Sequence, residues 1–320
     1  MVESILPNLY RLQIPLPENP LRAVNSYVIK GRNRNLIIDT GMNRQECLEA
    51  MRLGLRELEV DLSVTDLFIT HLHADHSGLI SRLATSESRV YCSRPDAAII
   101  NHSDYWHDML AYAYRNGFPA DDQAMYQHPG FKYGNRNPVD FTVVSEGDAV
   151  EAGGYSFWCV ATPGHTRGHL CLYDETTGIL VSGDHILGKI TPNISVWTDE
   201  GNPLQEYLDS LDKVYWMDVQ LVLPGHRQPI TDHRERIDQL KIHHHKRAEA
   251  IIAVLRQGPQ HAYEIASQME WDLSYECWEQ FPVPQKWFAT GEVLAHLRYL
   301  EKEGMVKLDR SQTILRYCLA

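Results

Sequence analysis

The chain has 320 residues, 43% apolar and 22% charged, the balance of an ordinary globular protein with room for one large and one small domain. A formal net charge of −12 argues against general affinity for nucleic acid or anionic membrane, and no apolar run is long enough to span a bilayer. Six scattered cysteines form no CxxC pair, so neither a disulfide framework nor a cysteine metal site is expected; each reads as a small core hydrophobe in a reducing, cytoplasmic compartment.

Met1 to Pro17 holds no continuous apolar segment, and no signal peptide is expected there. Asn25–Lys30 and Asn35–Gly41, joined by the polar Gly31-Arg32-Asn33-Arg34, read as a hairpin of β-branched strands. Asp39 ends the second strand ahead of the Gly41 turn and a helix near Gln45–Glu59. Its carboxylate can orient a metal-binding loop or cap the following turn. Val64–Thr70 then reads as a strand and Ser77–Leu83 as a helix start. Between them His71-Leu72-His73-Ala74-Asp75-His76 packs three imidazoles and a carboxylate into six residues on a strand-to-helix turn. Neutral imidazole and carboxylate suit zinc, iron and manganese.

Arg89–Cys92 is a further short strand. The stretch from Pro95 to Asn137 is aromatic-rich and lacks strand alternation, which predicts a helical insertion. It either roofs the metal loop or packs its aromatics on themselves. Its histidines, His102, His107 and His128, have no ligand-like spacing. Strands follow at Phe141–Val144 and Tyr155–Val160, and Thr162-Pro163-Gly164-His165 again sets a histidine at a strand end. His169–Tyr173 and Gly178–Asp184 read as a second hairpin ending in a carboxylate, and Leu221–His226 repeats the strand, turn and histidine. So His71, His73, Asp75, His76, His165, Asp184 and His226 all occupy loops that follow strands, the arrangement that gathers side chains at one sheet edge. Such a set suffices for two metals roughly 3.5–4 Å apart with Asp184 shared.

Together the His71-Leu72-His73-Ala74-Asp75-His76 run, Pro163-Gly164-His165, Ser182-Gly183-Asp184, Pro224-Gly225-His226 and the Asp39-Thr40-Gly41 turn resemble the metallo-β-lactamase superfamily of metallohydrolases. The resemblance covers about residues 8–240 and implies an α/β fold, a four-layer αβ/βα sandwich with two divalent metals, zinc above all, at one edge. It assigns His71, His73 and His165 to one metal and Asp75, His76 and His226 to the other. Asp184 bridges them and Asp39 supports the site. The residues name no separate general acid, and Asp75 is the candidate proton shuttle. Gly164 to His169 is similar to the glyoxalase II branch, in which His169 is structural. Asp75 and Asp184 set the chain apart from β-lactamases of the common classes.

Residues 242–320 read as a separate small domain: helices over Lys246–Arg256, His261–Gln268 and Thr290–Glu303, then a hairpin at Met305–Leu308 and Thr313–Tyr317. Three helices and a hairpin resemble the winged-helix appendage of one branch of the superfamily, which contains thioesterases and an endoribonuclease. The third helix is net acidic, which favours packing or homodimerisation over nucleic-acid binding. His243-His244-His245 reads as a solvated helix start, because adjacent helical residues point apart. The function implied is metal-dependent hydrolysis of a thioester, ester or lactone, with a small acyl compound as partner. The alternatives are a phosphodiesterase acting on RNA, a metal-bearing redox or sensor protein, and a regulator using the winged helix.

Overall fold

The computed structural model describes residues 2–102, 105–119, 123–272 and 275–320, so residues 103–104 and 120–122 of the expected insertion and 273–274 of the C-terminal region lie outside the described residues. Its first sheet has spatial order equal to chain order: β1 (Val2–Leu6), β2 (Leu9–Pro15), β3 (Ala23–Ile29), β4 (Asn35–Ile38), β5 (Thr65–Phe68), β6 (Val90–Ser93) and β7 (Phe141–Val144). β1 to β4 pair antiparallel, and β4 to β7 pair parallel. The second sheet runs from β8 (Ala149–Ala152) through β9 (Tyr155–Ala161), β10 (Leu170–Asp174) and β11 (Ile179–Gly183) to β12 (Leu221–Pro224). β11 and β12 pair parallel, which places the Asp184 and His226 loops side by side.

Alternation along each strand builds the layers. Leu36, Ile38 and Phe68 point inward and meet Phe157, Leu172, Val181 and Leu223 of the other sheet in one core. Their neighbours Ile37 and Leu67 point outward onto Cys47, Leu48 and Met51 of α1 (Gln45–Glu57). On the far side Cys171, Leu180 and Val222 carry a third core. Strands covered on both faces read as unbroken apolar runs, which is why periodicity alone does not reveal their two faces. The result is the expected four-layer α/β sandwich.

Short helices α2 (Ala74–Ser77), α3 (Ile80–Leu83) and α4 (Arg94–Ile100) follow β5 and β6. The helix after the histidine run thus begins at Ala74, earlier than expected, and Asp75 and His76 belong to its first turn. The insertion holds α5 (Tyr105–Arg115), α6 (Gln123–Gln127) and α7 (Pro129–Tyr133). Its aromatics do not merely pack on one another. Phe118 meets Trp287, and His128, beside Trp106, meets both Trp287 and Phe288. Tyr133 O accepts from Asn43 N at 2.8 Å, setting α7 beside the metal loop.

On the outer face of the second sheet lie α8 (Pro203–Tyr215) and α9 (His233–Leu255). α9 corrects the expected start at Lys246: Asp232 accepts from Glu235 N at 2.9 Å, the cap that starts the helix, and 23 residues follow without a break through residue 242. His243–His245 is therefore mid-helix and not a solvated start. His244 is buried between Leu240 and Ala248 on the inward stripe, with Nδ1 3.2 Å from His296 Nε2, while His245 faces solvent. α10 (Ala262–Ser267) follows, then α11 (Val283–Lys302), which starts seven residues before the expected Thr290. Prolines 282 and 284 lie at that start, where no N–H is required. β13 (Val306–Asp309) and β14 (Arg316–Leu319) close the chain as an antiparallel pair. The cysteine expectation fails at two places, since Cys277 is exposed and Cys318 only half-buried. Among the described residues no helix is long and apolar enough to cross a membrane.

α11 is buried along almost its whole length from Trp287 to Leu300. Its Arg298 guanidinium donates to the carbonyls of Thr198, Asp199 and Gly201 and to the Tyr112 hydroxyl, all within 3.1 Å. One side chain thereby joins the C-terminal helices to the insertion and to the loop before α8. Arg298→Ala strands those acceptors and is expected to lower unfolding free energy by about 3 kcal/mol in urea titration. A loss under about 0.5 kcal/mol would show that this junction carries no weight.

Candidate metal centre

β4 and β5 lie parallel and in register, so Asp39 and Thr70, each just past its strand, come together. Asp39 holds a left-handed backbone (φ 58°), and its carboxylate accepts from Thr70 N (2.9 Å), the Thr70 hydroxyl (2.8 Å) and His76 Nδ1 (2.7 Å). Of the two roles open to Asp39 in the sequence, the structure shows support of the histidine loop.

Each neighbouring ring is held from behind in the same way. Because the Thr70 hydroxyl donates to Asp39, it accepts from His71 Nδ1 at 3.0 Å. His165 Nδ1 donates to Asn193 O (2.8 Å) and His226 Nδ1 to Ala23 O (2.7 Å). Backbone carbonyls only accept, so these partners fix the tautomer and aim Nε2 of His71, His165 and His226 inward; Asp39 aims His76 likewise. His73 turns the other way, with Nδ1 3.1 Å from His71 Nε2.

Inside, ligand atoms within 4.8 Å of one another form the groups His71, His73 and His165; His71, His76 and Asp184; and Asp75, His76 and His226. Asp184 lies between them, 3.5 Å from His76 Nε2 and His226 Nε2 and 3.7 Å from His165 Nε2. All seven side chains singled out in the sequence are thus brought to one place. His169 stays outside: its Nε2 accepts from Asp184 N (3.1 Å) and its Nδ1 faces the Thr162 hydroxyl (2.8 Å). Among the described residues His102, His107 and His128 join none of these groups.

Two observations fit this set to cations. His76 Nε2, His165 Nε2, His226 Nε2 and Asp184 Oδ1 are buried with no hydrogen-bond partner, and orphaned atoms of that kind cost free energy unless something binds them. Gly225 is the second: a Cβ there would lie 2.4 Å from Asp184 Oδ1 and 2.8 Å from His76 Cε1, so only glycine lets the His226 turn close on the cluster.

Burial drives His71 well down and His73 to about 3, so both rings are neutral and their lone pairs available. Burial pushes Asp75 up, but His76 and His226 outweigh it and hold the carboxyl at about 2. For His226 burial acts downward, yet Asp184 and Asp75 carry it to about 10; Asp39 and Asp184 likewise lift His76 well above its ordinary value. Protonated His76 and His226 therefore balance the carboxylates until a cation replaces their protons.

Three supporting residues escaped the sequence reading. Asp96, fully buried, accepts from Leu72 N (2.9 Å), the Thr166 hydroxyl (2.7 Å) and Gly168 N (2.9 Å), tying the His71–His73 loop to the His165 loop. Burial raises its carboxyl to about 6 despite these donors. Asn193 and Glu292 form the other link: Asn193 Nδ2 donates to Glu292 Oε2 (3.1 Å), and Glu292 Oε1 pairs with Arg247 Nε (3.0 Å). Gly291 lets α11 approach, since a Cβ would meet the Trp197 ring at 2.7 Å. Ser93 and Pro95 mark a helix start around Asp96, but no sequence signal ties it to His165.

Two predictions follow from this geometry. Glu292→Ala frees the Asn193 loop and is expected to weaken zinc binding about 10–100-fold in chelator competition, with circular dichroism unchanged. Unaltered affinity would break the proposed link from α11 to His165. Zinc uptake should release protons, because at pH 7 it must displace those on His76 and His226. Apparent affinity then rises as pH climbs toward 10, and calorimetry in buffers of different ionisation heat counts the protons.

Comparisons with known proteins give the family. The sequence is 26% identical over 295 residues to a probable metallo-hydrolase of Bacillus subtilis, covering 88% of each chain. It is 25% identical over 231 residues to an atrochrysone carboxyl ACP thioesterase of Emericella nidulans, spanning 72% of this chain and 59% of that protein. A metallo-beta-lactamase family protein from Thermus thermophilus superposes with a TM-score of 0.83 at 29% identity, over 99% of this chain and all of the other. A sequence model of the metallo-beta-lactamase superfamily matches residues 19–226, well over half of the chain, so the protein belongs to the metallo-beta-lactamase superfamily.

Proposed function

We propose that the protein is a dinuclear zinc-dependent hydrolase of thioesters, with esters and lactones as the nearest related substrates. The carrying observation is the convergence of buried, partnerless Nε2 atoms of His76, His165 and His226 on Asp184. His71, His73 and His165 would hold one ion, Asp75, His76 and His226 the other, with Asp184 between. The donor set of imidazole and carboxylate suits zinc, and also manganese or iron. Bound there, such ions acidify a water toward neutrality and polarise the scissile carbonyl.

The chain's own residues narrow the leaving group. His71, His73 and His165 are kept neutral by burial, and Asp75, at about 2, is ionised. None of these donates a proton at neutral pH, nor would His76 and His226 once a cation has replaced their protons, although Asp75 can accept one from the attacking water. A thiolate departs without an acid, since an ordinary thiol has a pKa of about 8.5. The thioesterase of Emericella nidulans, distant as it is, supports the same reading.

We read residues 242–320 as a winged-helix-like buttress. α11 is enclosed, and its Arg298 is fully committed to carbonyls and a hydroxyl, so it offers no basic face to a phosphate backbone. That weighs against the regulatory alternative, in which the winged helix itself binds nucleic acid.

The test is a parallel assay on metal-quantified protein with an acyl thioester, a long-chain lactone and a single-stranded RNA, with His73→Ala as the blank. Turnover of the thioester is expected, and cleavage of RNA alone would overturn the proposal. Asp184→Asn should cut turnover at least about a hundredfold and lower the bound metal while the fold persists. Full activity in that variant would rule out a shared carboxylate.

A further inference from the structure

A cleft of about 710 Å³ opens behind the His226 turn, and four of its lining residues are cations: Arg236 of α9 and, from three separate segments, Arg22, Lys189 and Arg227. Each segment also serves the metal centre. Ala23, next to Arg22, supplies the carbonyl that holds His226 Nδ1; Arg227 follows His226 directly; Lys189 lies on the strand-end loop that leaves Asp184. The cleft and the centre therefore share a wall.

These cations are not neutralised from within. Arg22 and Lys189 are exposed, and their side chains make no hydrogen bond or ion pair among the described residues. Arg227 gives one N–H to Pro20 O (3.0 Å). Two acids also line the cleft, Asp232 accepting from Glu235 N (2.9 Å) and Glu235 from Gln239 Nε2 (3.2 Å), and neither forms an ion pair among the described residues, so four cations face two carboxylates. Arg236 is also committed, to the carbonyls of Leu187 (2.6 Å) and Ile190 (2.9 Å). Arg22 and Arg227 both hold left-handed backbone (φ 69° each), a conformation that disfavours long side chains. The turn beneath is rigid: carbonyls of Pro224, Gly225 and Arg227 accept from Tyr27, Asn25 and Arg11. In a chain with net charge −12, four cations against two acids around this turn form a local reversal of sign.

We propose that this cleft binds the phosphate of a thiol leaving group carried on a phosphorylated arm, while the acyl carbon lies at the histidine and aspartate cluster. The inference rests on the thioester reading and names the part of the substrate that the cluster itself does not recognise. Guanidinium and ammonium groups on separate loops suit a tetrahedral phosphate approached from several sides. An acyl arm without the phosphate would reach the cluster but leave the cleft unused.

The direct test compares acyl-pantetheine with acyl-4′-phosphopantetheine, the same thioester without and with the phosphate. The phosphorylated form is expected to have the higher kcat/KM, through KM, with the advantage shrinking as salt rises. In Arg22→Ala and Lys189→Ala the ratio of the two kcat/KM values should fall about tenfold each, the loss of one charge-assisted contact. Calorimetric binding of coenzyme A, free of turnover, should weaken in parallel. Coenzyme A and carrier-protein thioesters of the same acyl group then distinguish a free arm from a protein-borne one; preference for either over acyl-pantetheine supports the site. Equal kcat/KM for the two pantetheine substrates would overturn the cleft and leave the thioester reading intact. Failure to cleave any thioester, with coenzyme A still bound through Arg22, would overturn the thioester reading instead.

Discussion

One buried carboxylate, Asp39, joins the ends of two parallel strands to the ring of His76. Strand pairing alone brings the backbones together, but rings that must aim lone pairs at a common point need their other nitrogen held. Asp39 does this for His76 directly and for His71 through Thr70. The carbonyls of Asn193 and Ala23 do it for His165 and His226. The cluster is therefore preorganised by its rear contacts, and the like-charged carboxylates inside it are tolerated only because protons or cations offset them.

That requirement explains why the rest of the chain is so tightly committed around the centre. Asp96 bonds two ligand-bearing loops that come from different sheets. Glu292, on the last long helix, reaches the same region through Asn193. The C-terminal helices thus work inward. They form the wall against which the Asn193 loop is set, with Trp197 stacked on Trp287 at 4.2 Å between ring centroids.

What the sequence could reveal follows from this division. Residues that meet the inside of the cluster must be imidazole or carboxylate and must end a strand, so chemistry and position together expose them. Residues that act from behind use backbone carbonyls, amide groups or a lone acid on a helix, and any of these is common. Asp96 and Glu292 carry no local mark of their partners, which lie 24 and 99 positions away. The start of α9 was legible: Asp232 with Glu235 three residues on is a helix-start pattern. His244 belongs to the apolar stripe of that helix, where spacing matters more than residue type.

α9 has a further consequence for how the molecule is made. It leaves the His226 turn after only a short loop and runs as one rod into the region that supplies Arg247, the partner of Glu292. During synthesis, a nascent chain that has emerged as far as α9 already carries every imidazole and carboxylate of the cluster. It lacks Glu292, and with it the brace on the Asn193 loop. Contacts this distant in sequence form late, so the brace on the Asn193 loop is set only after the last long helix has packed against the second sheet.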